Sequence, residues 1–247
     1  MQISYGTGTS RGMVREQNED SLAVIDCREN GFIVFAVADG MGGMDHGDLA
    51  SATAVQVLES RFRGCEGVGL TANEAKDAFR LLFSRINIEI INKSNENESV
   101  AGMGTTMSVC HIDSGWINIG HIGDSRIYLV RNGSMRQLTK DHSYVENLID
   151  TGRITREQAR NHPDRNIITK ALGLDMEVDS DYIREKPESG DRILLCSDGL
   201  TNELADSEIY GIIAAGDDPG RIVDKLIERT NELGGRDNVT VLLVFID

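Results

Sequence analysis

Short segments that are apolar on both faces constrain the fold of this chain more than any other feature of its sequence. They are rich in Val, Ile and aromatic residues, a composition typical of strands. Strands with two apolar faces are typical of a sheet buried between two layers, and not of a sheet with one solvated side. Strands are predicted at residues 32–38, 105–112, 116–122, 126–130, 192–196 and 239–246.

Helices are expected between these strands, because several segments begin with a capping signal. Ser or Thr followed three residues later by Glu or Gln forms a capping box, and the chain has it at Thr71 with Glu74, Ser143 with Glu146, and Thr155 with Gln158. Asp218 followed by Pro219 marks another helix start. Polar linkers are expected at residues 93–99 and 139–166, but neither is long or Pro/Gly-rich enough to separate domains. The order predicts a single α/β domain over residues 1–247.

The charge balance limits the partners of this chain. It has 40 Asp and Glu against 25 Lys and Arg, a net charge of −15, and so acidic a surface repels nucleic acid and anionic lipid. No leader-like segment begins the chain, and no apolar run approaches the roughly 20 residues that span a membrane. We therefore expect a soluble, cytoplasmic protein that binds neither nucleic acid nor membrane.

The four scattered cysteines are expected to be reduced, mostly structural thiols; they are Cys27, Cys65, Cys110 and Cys196.

Three acidic residues stand at the ends of predicted strands. Asp39 and Asp198 each follow an apolar run and precede a glycine, and Asp237 comes just before the last strand. Asp-Gly is most often a hairpin turn, but a hairpin needs a second strand at once, and both pairs lead into helix-like sequence instead. A functional cleft at the strand ends is therefore as good an interpretation as a turn.

The chemistry of these acids favours a particular class of cation. Carboxylates without His or Cys companions favour Mg²⁺ or Mn²⁺ over zinc or copper. Two such ions about 3.5–4 Å apart would offset the repulsion among the acids and could activate a water for attack on phosphorus. A further acidic pair, Glu19 and Asp20, follows Arg15. The planar guanidinium of Arg15 could hold a phosphate through two parallel hydrogen bonds, or it could be an ordinary surface charge.

Eight motifs in a fixed order carry a family resemblance. They are RGMVREQNED, VADGMGG, GMGTT, IGDSR, LTKDHS, ITKALG, CSDGL and GGRDNVT. With this set, which lies within residues 9–246, the chain resembles the metal-dependent protein phosphatases of the 2C type, in their compact bacterial form. The resemblance implies an α+β fold, an αββα sandwich of two mainly antiparallel sheets flanked by helices, with a metal cleft at one end.

The resemblance also implies the residues of the site, each by its position in a motif. Asp39 would bridge two metal ions and act in catalysis, and Gly40 would offer its carbonyl to one of them. Asp198 and Asp237 would complete the shell of the first metal. Glu19 and Asp20 would hold the second metal, and Arg15 would bind the substrate phosphate and act in catalysis. Asp124 with Asp198 would hold a third, weaker metal, and Asn238 would support these ligands.

The implied reaction is hydrolysis of phosphoserine or phosphothreonine by a metal-activated water, without a phosphoenzyme. Two or three Mn²⁺ or Mg²⁺ ions would serve as cofactors, and the partners would be phosphorylated Ser/Thr proteins and a cognate cytoplasmic Ser/Thr kinase. A monomer is expected.

Residues 141–166 would correspond to a mobile flap beside the cleft. Cys196 lies in an apolar run with no basic neighbour, so it is not expected to act as a nucleophile.

Two positions depart from the family pattern. Met44 stands where bacterial relatives commonly carry His, and His46 follows two residues later. The leaving alkoxide could therefore be protonated by His46, by metal-bound water, or by no dedicated acid, and a general acid contributes roughly 10²–10⁴-fold. Ser10 stands where the family often has Asp, away from the core ligands, so we expect activity to survive. The other histidines divide into two expectations, a structural role for His111 and His121 and contact with substrate for His142 and His162.

Three other functions compete with this one. A catalytically weak regulator that only binds phosphoproteins is disfavoured, because all the core acids are present. A small-molecule phosphatase with the same dimetal site remains open, because specificity would lie in the flap and the surface. A Ca²⁺-binding structural module is disfavoured, because no D-x-[DN]-x-[DN]-G loop occurs in the sequence.

Overall fold

Two antiparallel sheets form the centre of the structure, a computed structural model that describes residues 1–41, 46–69, 71–96 and 101–247. The strands are β1 (Ile3–Ser10), β2 (Asp20–Cys27), β3 (Phe32–Met41), β4 (Gly104–Thr105), β5 (Met107–Asp113), β6 (Ile117–Ile122), β7 (Arg126–Arg131), β8 (Ser134–Gln137), β9 (Asp181–Glu185), β10 (Asp191–Cys196) and β11 (Val239–Ile246). The helices are α1 (Gly47–Phe62), α2 (Ala72–Glu96), α3 (Tyr144–Asp150), α4 (Arg156–Arg160), α5 (Asp198–Glu203), α6 (Asp206–Ala214) and α7 (Pro219–Glu232).

The two sheets pack face to face, and helices cover both outer faces. The first sheet has the order β1-β11-β10-β7-β8 and the second β2-β3-β5-β6-β9, with β4 paired to β3. Between them, Phe35 of β3 lies in one buried cluster with Leu195 of β10 and Leu242 of β11. The alternate residues Val34 and Ala36 belong to a second cluster with α1 and α2. A third cluster joins the first sheet to α5, α6 and α7. The αββα sandwich implied by the resemblance is confirmed.

The strand predictions hold where strands are buried on both sides. All six predicted segments form strands, and only residues 105–112 are divided, into β4 and β5. The four strands without a prediction, β1, β2, β8 and β9, are the edges of the two sheets. Their residues are mostly half-buried or exposed, so their sequences lack the apolar pattern that marks a central strand.

The capping signals begin helices as predicted. Ser143 accepts a hydrogen bond from the Glu146 amide, and Thr155 forms a capping box with Gln158. Pro219 is the first residue of α7. The predicted linker at residues 93–99 was wrong in its first part, because residues 93–96 complete α2, whereas residues 97–99 lie outside the described part of the chain. Residues 139–166 contain only the short helices α3 and α4.

The expectation of four reduced cysteines was wrong for two of them. Cys27 at the end of β2 and Cys65 after α1 form a disulfide, with their Cα atoms 5.5 Å apart. They are 38 residues apart, so only the packing of α1 on the second sheet brings them together. Cys110 and Cys196 are free and buried. Among the described helices, none has both the length and the apolar composition needed to cross a membrane.

Candidate active site

Strand ends from both sheets bring the predicted acids to one end of the sandwich. In the second sheet, Asp20 at the start of β2 is the cross-strand partner of Asp39 near the end of β3. In the first sheet, Asp198 follows the end of β10, and Asp237 precedes the start of the neighbouring strand β11. Asp124 precedes β7, which pairs with β10 on its other side. The antiparallel order of each sheet therefore gathers acids that are up to 217 residues apart (237 − 20) in sequence.

A buried serine connects the two sheets at this end. The Ser197 hydroxyl donates a hydrogen bond to Asp20 Oδ2 at 2.7 Å and accepts one from the Thr240 amide at 3.0 Å. Asp20 therefore has a fixed position relative to the first sheet, although it belongs to the second. On the other side of the acids, the Thr106 hydroxyl accepts a hydrogen bond from the Asp39 amide at 3.0 Å. Neither Ser197 nor Thr106 was predicted as part of the site, because buried hydroxyls leave no distinct signal in the sequence.

Burial and mutual repulsion raise the pKa values of the clustered carboxyls. Burial raises the pKa of Asp20 to about 7, although hydrogen bonds from Ser197 and Thr240 oppose the change. Burial also raises the pKa of Asp198 to about 6, the charge of Asp237 acts in the same direction, and hydrogen bonds with Asp39 and Asn202 oppose it. Without counter-charge, the cluster therefore favours protonated carboxyls near neutral pH.

The most strongly affected carboxyls belong to Asp39 and Asp124. Asp39 is half-buried, and burial, followed by the charges of Asp20 and Asp198, raises its pKa well above the ordinary value. For Asp124, burial and then the charge of Asp198 act in the same way. These four acids are electrostatically one group, and a bound cation would relieve their repulsion.

The donor set of this group fits a hard divalent cation. It offers carboxylate oxygens only, and two buried ones, Asp20 Oδ1 and Asp124 Oδ1, have no hydrogen-bond partner. Unpaired buried oxygens of this kind are expected where a ligand completes the site. Within residues 1–41, 46–69, 71–96 and 101–247, no three His, Cys, Asp or Glu side chains already stand in an arrangement that could hold a metal. A cation would therefore have to draw the carboxylates together.

Gly40 and Gly47 allow the backbone next to Asp39 to approach α1 closely. A Cβ on Gly40 would lie 2.1 Å from the carbonyl oxygen of Gly47, and one on Gly47 would lie 2.5 Å from the carbonyl carbon of Gly40. At this contact, the Gly47 amide donates to Glu19 Oε1 at 3.0 Å, and the Glu19 carbonyl accepts from the Gly40 amide at 3.2 Å. Gly47 was not predicted, although a glycine directly before a helix-like segment was a visible signal.

Gly47→Ala should therefore disturb both the fold and the site. Overpacking at a backbone contact costs about 1–3 kcal/mol, so we expect the free energy of unfolding in urea to fall by that amount. Any metal-dependent activity should fall with it, because Glu19 and Gly40 would move. Gly211→Ala on α6 is the matched control, since a Cβ there meets nothing within 4 Å. Equal unfolding energies for the two variants would contradict this interpretation.

Asn238 and Arg15 hold the loop before β2 against the start of β11. The Asn238 side chain accepts from the Glu19 amide at 2.9 Å and donates to the Arg11 and Gln17 carbonyls at 3.0 and 2.8 Å. Arg15 donates to Asp237 Oδ2 at 2.9 Å, and this contact holds the pKa of Arg15 above its usual range. Half of the Arg15 side chain is exposed, so its guanidinium can also reach an anion in the cleft.

The segment predicted as a flap forms one wall of a cavity beside Asp124 and Asp198. The cavity has a volume of about 350 Å³, and α3 and α4 contribute Glu146 and Arg156 to its lining. The base of the segment is fixed, because Asp141 accepts hydrogen bonds from the Arg126 guanidinium at 2.7–3.0 Å. The His142 amide donates to the Gly123 carbonyl at 2.7 Å. Residues next to Asp124 therefore connect directly to this wall.

The histidines and Met44 occupy different surroundings. His111 and His121 lie on strands and are buried, and burial lowers the pKa of each to about 4. His142 stacks on His121 with ring centroids 5.1 Å apart, which places it inside the packing of the flap base. His46 is the residue before α1. Met44 lies outside the residues that the structure describes.

Comparison with known proteins identifies relatives over the whole length of the chain. A family model for Protein phosphatase 2C matches residues 7–238. The chain is 40% identical over 236 residues to Serine/threonine phosphatase stp of Listeria monocytogenes, with 96% of this chain and 93% of that protein covered. Two solved structures are similar. Serine/threonine phosphatase Stp1 from Staphylococcus aureus has a TM-score of 0.93 at 32% identity, over 100% of this chain and 96% of that one. The catalytic domain of serine threonine protein phosphatase PstP, in complex with 2 manganese ions, has a TM-score of 0.83 at 33% identity, over 99% of each chain.

Proposed function

This chain belongs to the protein phosphatase 2C family, and we propose that it is a metal-dependent protein serine/threonine phosphatase that hydrolyses phosphoserine and phosphothreonine. One observation carries the proposal: Asp20, Asp39, Asp198 and Asp237 converge from two sheets at a cleft that also holds Arg15. The relatives described as serine/threonine phosphatases support the substrate class. Residues 1–247 are proposed to act as one catalytic domain.

The acids are proposed to hold two Mn²⁺ or Mg²⁺ ions, with Asp39 between them and the Gly40 carbonyl on one. Asp198 and Asp237 would complete one shell, and Glu19 and Asp20 the other. Asp124 with Asp198 would hold a third ion. When bound, the cations would offset the carboxylate charge and supply a water of lowered pKa for attack on phosphorus.

The other residues are proposed to orient the substrate and to support the acids. Arg15 binds the phosphate through its exposed guanidinium, and Asn238 keeps the loop that carries Glu19 in place. A covalent route through Cys196 is disfavoured, because burial raises the pKa of its thiol to about 12 and keeps it a thiol. The leaving alkoxide would take its proton from His46 or from a metal-bound water, or the reaction would proceed with no dedicated acid.

The biological setting belongs to the same proposal. A cognate Ser/Thr kinase and its phosphorylated substrates are the proposed partners, and a cytoplasmic monomer is the proposed form of the protein. A net charge of −15 makes nucleic acid and anionic lipid poor partners. Cations in the cleft and Arg15 would attract a phosphoprotein against this general repulsion.

A substrate panel tests the proposed reaction. Phosphothreonine and phosphotyrosine peptides of the same sequence, together with small phosphate monoesters, are assayed with Mn²⁺ and with chelator. We expect Mn²⁺-dependent phosphate release and a higher kcat/KM for the phosphothreonine peptide than for the other substrates. Efficient turnover of one small monoester alone would favour a small-molecule phosphatase. Binding of phosphopeptide without turnover at any metal concentration would show a regulator and overturn the enzyme proposal.

Arg15→Lys tests the phosphate contact. The ammonium keeps the charge but cannot form two parallel hydrogen bonds, so kcat/KM for the phosphothreonine peptide should fall about 10-fold, the value of one charge-assisted hydrogen bond. Arg11→Lys is the matched control, since Arg11 is exposed in the same loop and its side chain donates to the Glu16 carbonyl at 3.2 Å. The same loss in both variants would show that the loop, and not the Arg15 guanidinium, determines the rate.

A further inference from the structure

A groove lies between the edge strand β1 and helix α7, outside the site described above. Its volume is about 710 Å³, and its apolar part consists of Gly8, Ile227 and Met13. A Cβ on Gly8 would lie 2.6 Å from Ile227 Cδ1, so the absence of a side chain at Gly8 leaves room for Ile227 against β1. The outer edge of β1 pairs with no other strand in the described part of the chain. The groove therefore lies beside an unpaired sheet edge.

One rim of the groove carries three carboxylates. Asp224, Glu228 and Glu232 line it, and their spacing of four residues places them on one face of α7. All three residues are exposed. Glu232 forms an ion pair with Arg229 at 3.1 Å, whereas Asp224 and Glu228 have no ion-pair partner among the residues described. Like charges one helical turn apart repel each other, so this rim favours a cationic ligand.

The groove opens beside the loop that carries Arg15. Met13 lies at the mouth of the groove, and its backbone amide donates a hydrogen bond to the Gly235 carbonyl at 2.7 Å. Arg15 follows two residues later. The side chains around the mouth are apolar and uncovered: Met13 is 68% exposed and Val14 is 65% exposed. A polypeptide lying in the groove would therefore continue directly to the phosphate-binding arginine.

We propose that this β1–α7 groove docks a cationic, amphipathic segment of the phosphoprotein substrate, an inference that rests on the proposed function. Lys or Arg side chains of the segment pair with Asp224 and Glu228, and an apolar side chain between them covers Ile227 and Met13. Charge complementarity favours this occupant. An acidic segment would be repelled by the carboxylates of the rim and by the net charge of −15 of the whole protein. The groove would thus select among phosphoproteins by the sequence next to the phosphorylated residue, in addition to the selection for phosphate by the cleft.

Paired peptides test the docking. Each pair shares one phosphothreonine sequence, and one member carries an added segment of Lys, Arg and Leu, placed at the N-terminus in one pair and at the C-terminus in another. In the wild type, the extended peptide of one pair should have a KM about three- to tenfold lower than its unextended partner, with kcat unchanged. This is the effect expected of two exposed ion pairs with some apolar contact. This preference should shrink as ionic strength rises.

Two charge-reversal variants separate the groove from the general field of the protein. Asp224→Lys/Glu228→Lys should abolish the preference for the extended peptide. Asp77→Lys/Glu89→Lys on α2 makes the same change in net charge on exposed residues of the opposite outer layer, and it should keep the preference. Circular dichroism and melting temperature check that both variants fold.

Several results would overturn the docking proposal. Equal KM values for both peptides of each pair in the wild type would do so, and so would a preference that survives Asp224→Lys/Glu228→Lys or disappears equally in the α2 variant. If no peptide is hydrolysed, the proposed function fails, but the groove is still tested by fluorescence anisotropy of the labelled, unphosphorylated extension. Binding to the wild type and not to Asp224→Lys/Glu228→Lys would then support the groove, and equal binding would reject it.

Discussion

Asp39→Asn should lower Mn²⁺-dependent hydrolysis of a phosphothreonine peptide at least about 10³-fold, equivalent to ~4 kcal/mol of transition-state stabilisation. The reason is the central position of Asp39, whose pKa is raised first by burial and then by the charges of Asp20 and Asp198. An amide in its place offers one neutral oxygen and an N–H group that repels a cation. The measurement is kcat/KM at saturating Mn²⁺, with Asp237→Asn assayed alongside.

The control for this prediction is an acid outside the cluster. Asp217→Asn makes the same chemical change at an exposed loop position between α6 and α7, and its rate should equal that of the wild type within about twofold, as for a surface substitution. Retention of more than a tenth of the wild-type rate by both Asp39→Asn and Asp237→Asn would remove the acid cluster from the mechanism.

Without metal, the protein should lose stability as the pH rises from 6.5 to 8.5. A carboxyl whose pKa is raised in the folded state contributes stability at low pH and loses it as the pH rises through the folded-state pKa. Asp20, with a pKa raised to about 7, titrates in this window, and Asp39 and Asp124 act in the same direction. We expect the melting temperature in chelator to fall by about 4 °C across the window, or ~1–2 kcal/mol for a chain of this size.

Bound cations should reverse this trend, because they bind the ionised carboxylates. In saturating Mn²⁺, the melting temperature should stay level or rise from pH 6.5 to 8.5. The window excludes lower pH because two buried histidines titrate in the opposite sense. Burial lowers the pKa values of His111 and His121 to about 4, whereas a histidine in the unfolded chain has a pKa of about 6.5. Below pH 6.5 the unfolded chain therefore binds protons that the folded protein does not, and stability falls. Asp20→Asn should flatten the profile in chelator. A melting temperature that rises with pH in chelator would contradict the coupled-acid interpretation.

The sequence predicts the buried half of the fold better than its edges. Strands such as β3 and β11 have two apolar faces because one face meets the opposite sheet and the other meets helices. The edge strands β1, β2, β8 and β9 have no such pattern. Their presence depends on pairing with a neighbour, and pairing is not encoded in the composition of a short segment. The Cys27–Cys65 disulfide also depends on packing between distant segments.

The site divides in the same way between side chains and their supports. Asp39, Asp198 and Asp237 are predicted from their places at the ends of apolar runs. Asp124 is predicted only by the resemblance, which also assigns the roles of all these acids. Their geometry was not accessible, since the pairing of Asp20 with Asp39 requires the register of β2 on β3. Ser197, Thr106 and Gly47 were missed, because a buried hydroxyl or a close backbone approach acquires its meaning only from its neighbours.

The central claim is that the clustered acids hold the cations on which hydrolysis depends. Its most direct test is a titration of metal-free protein with Mn²⁺, with metal bound and phosphothreonine peptide turned over measured on the same sample. In the wild type, we expect at least two bound ions and turnover that rises as they bind, and in Asp39→Asn, the loss of both. Full turnover in chelator, or turnover by Asp39→Asn at the wild-type rate, would contradict the claim.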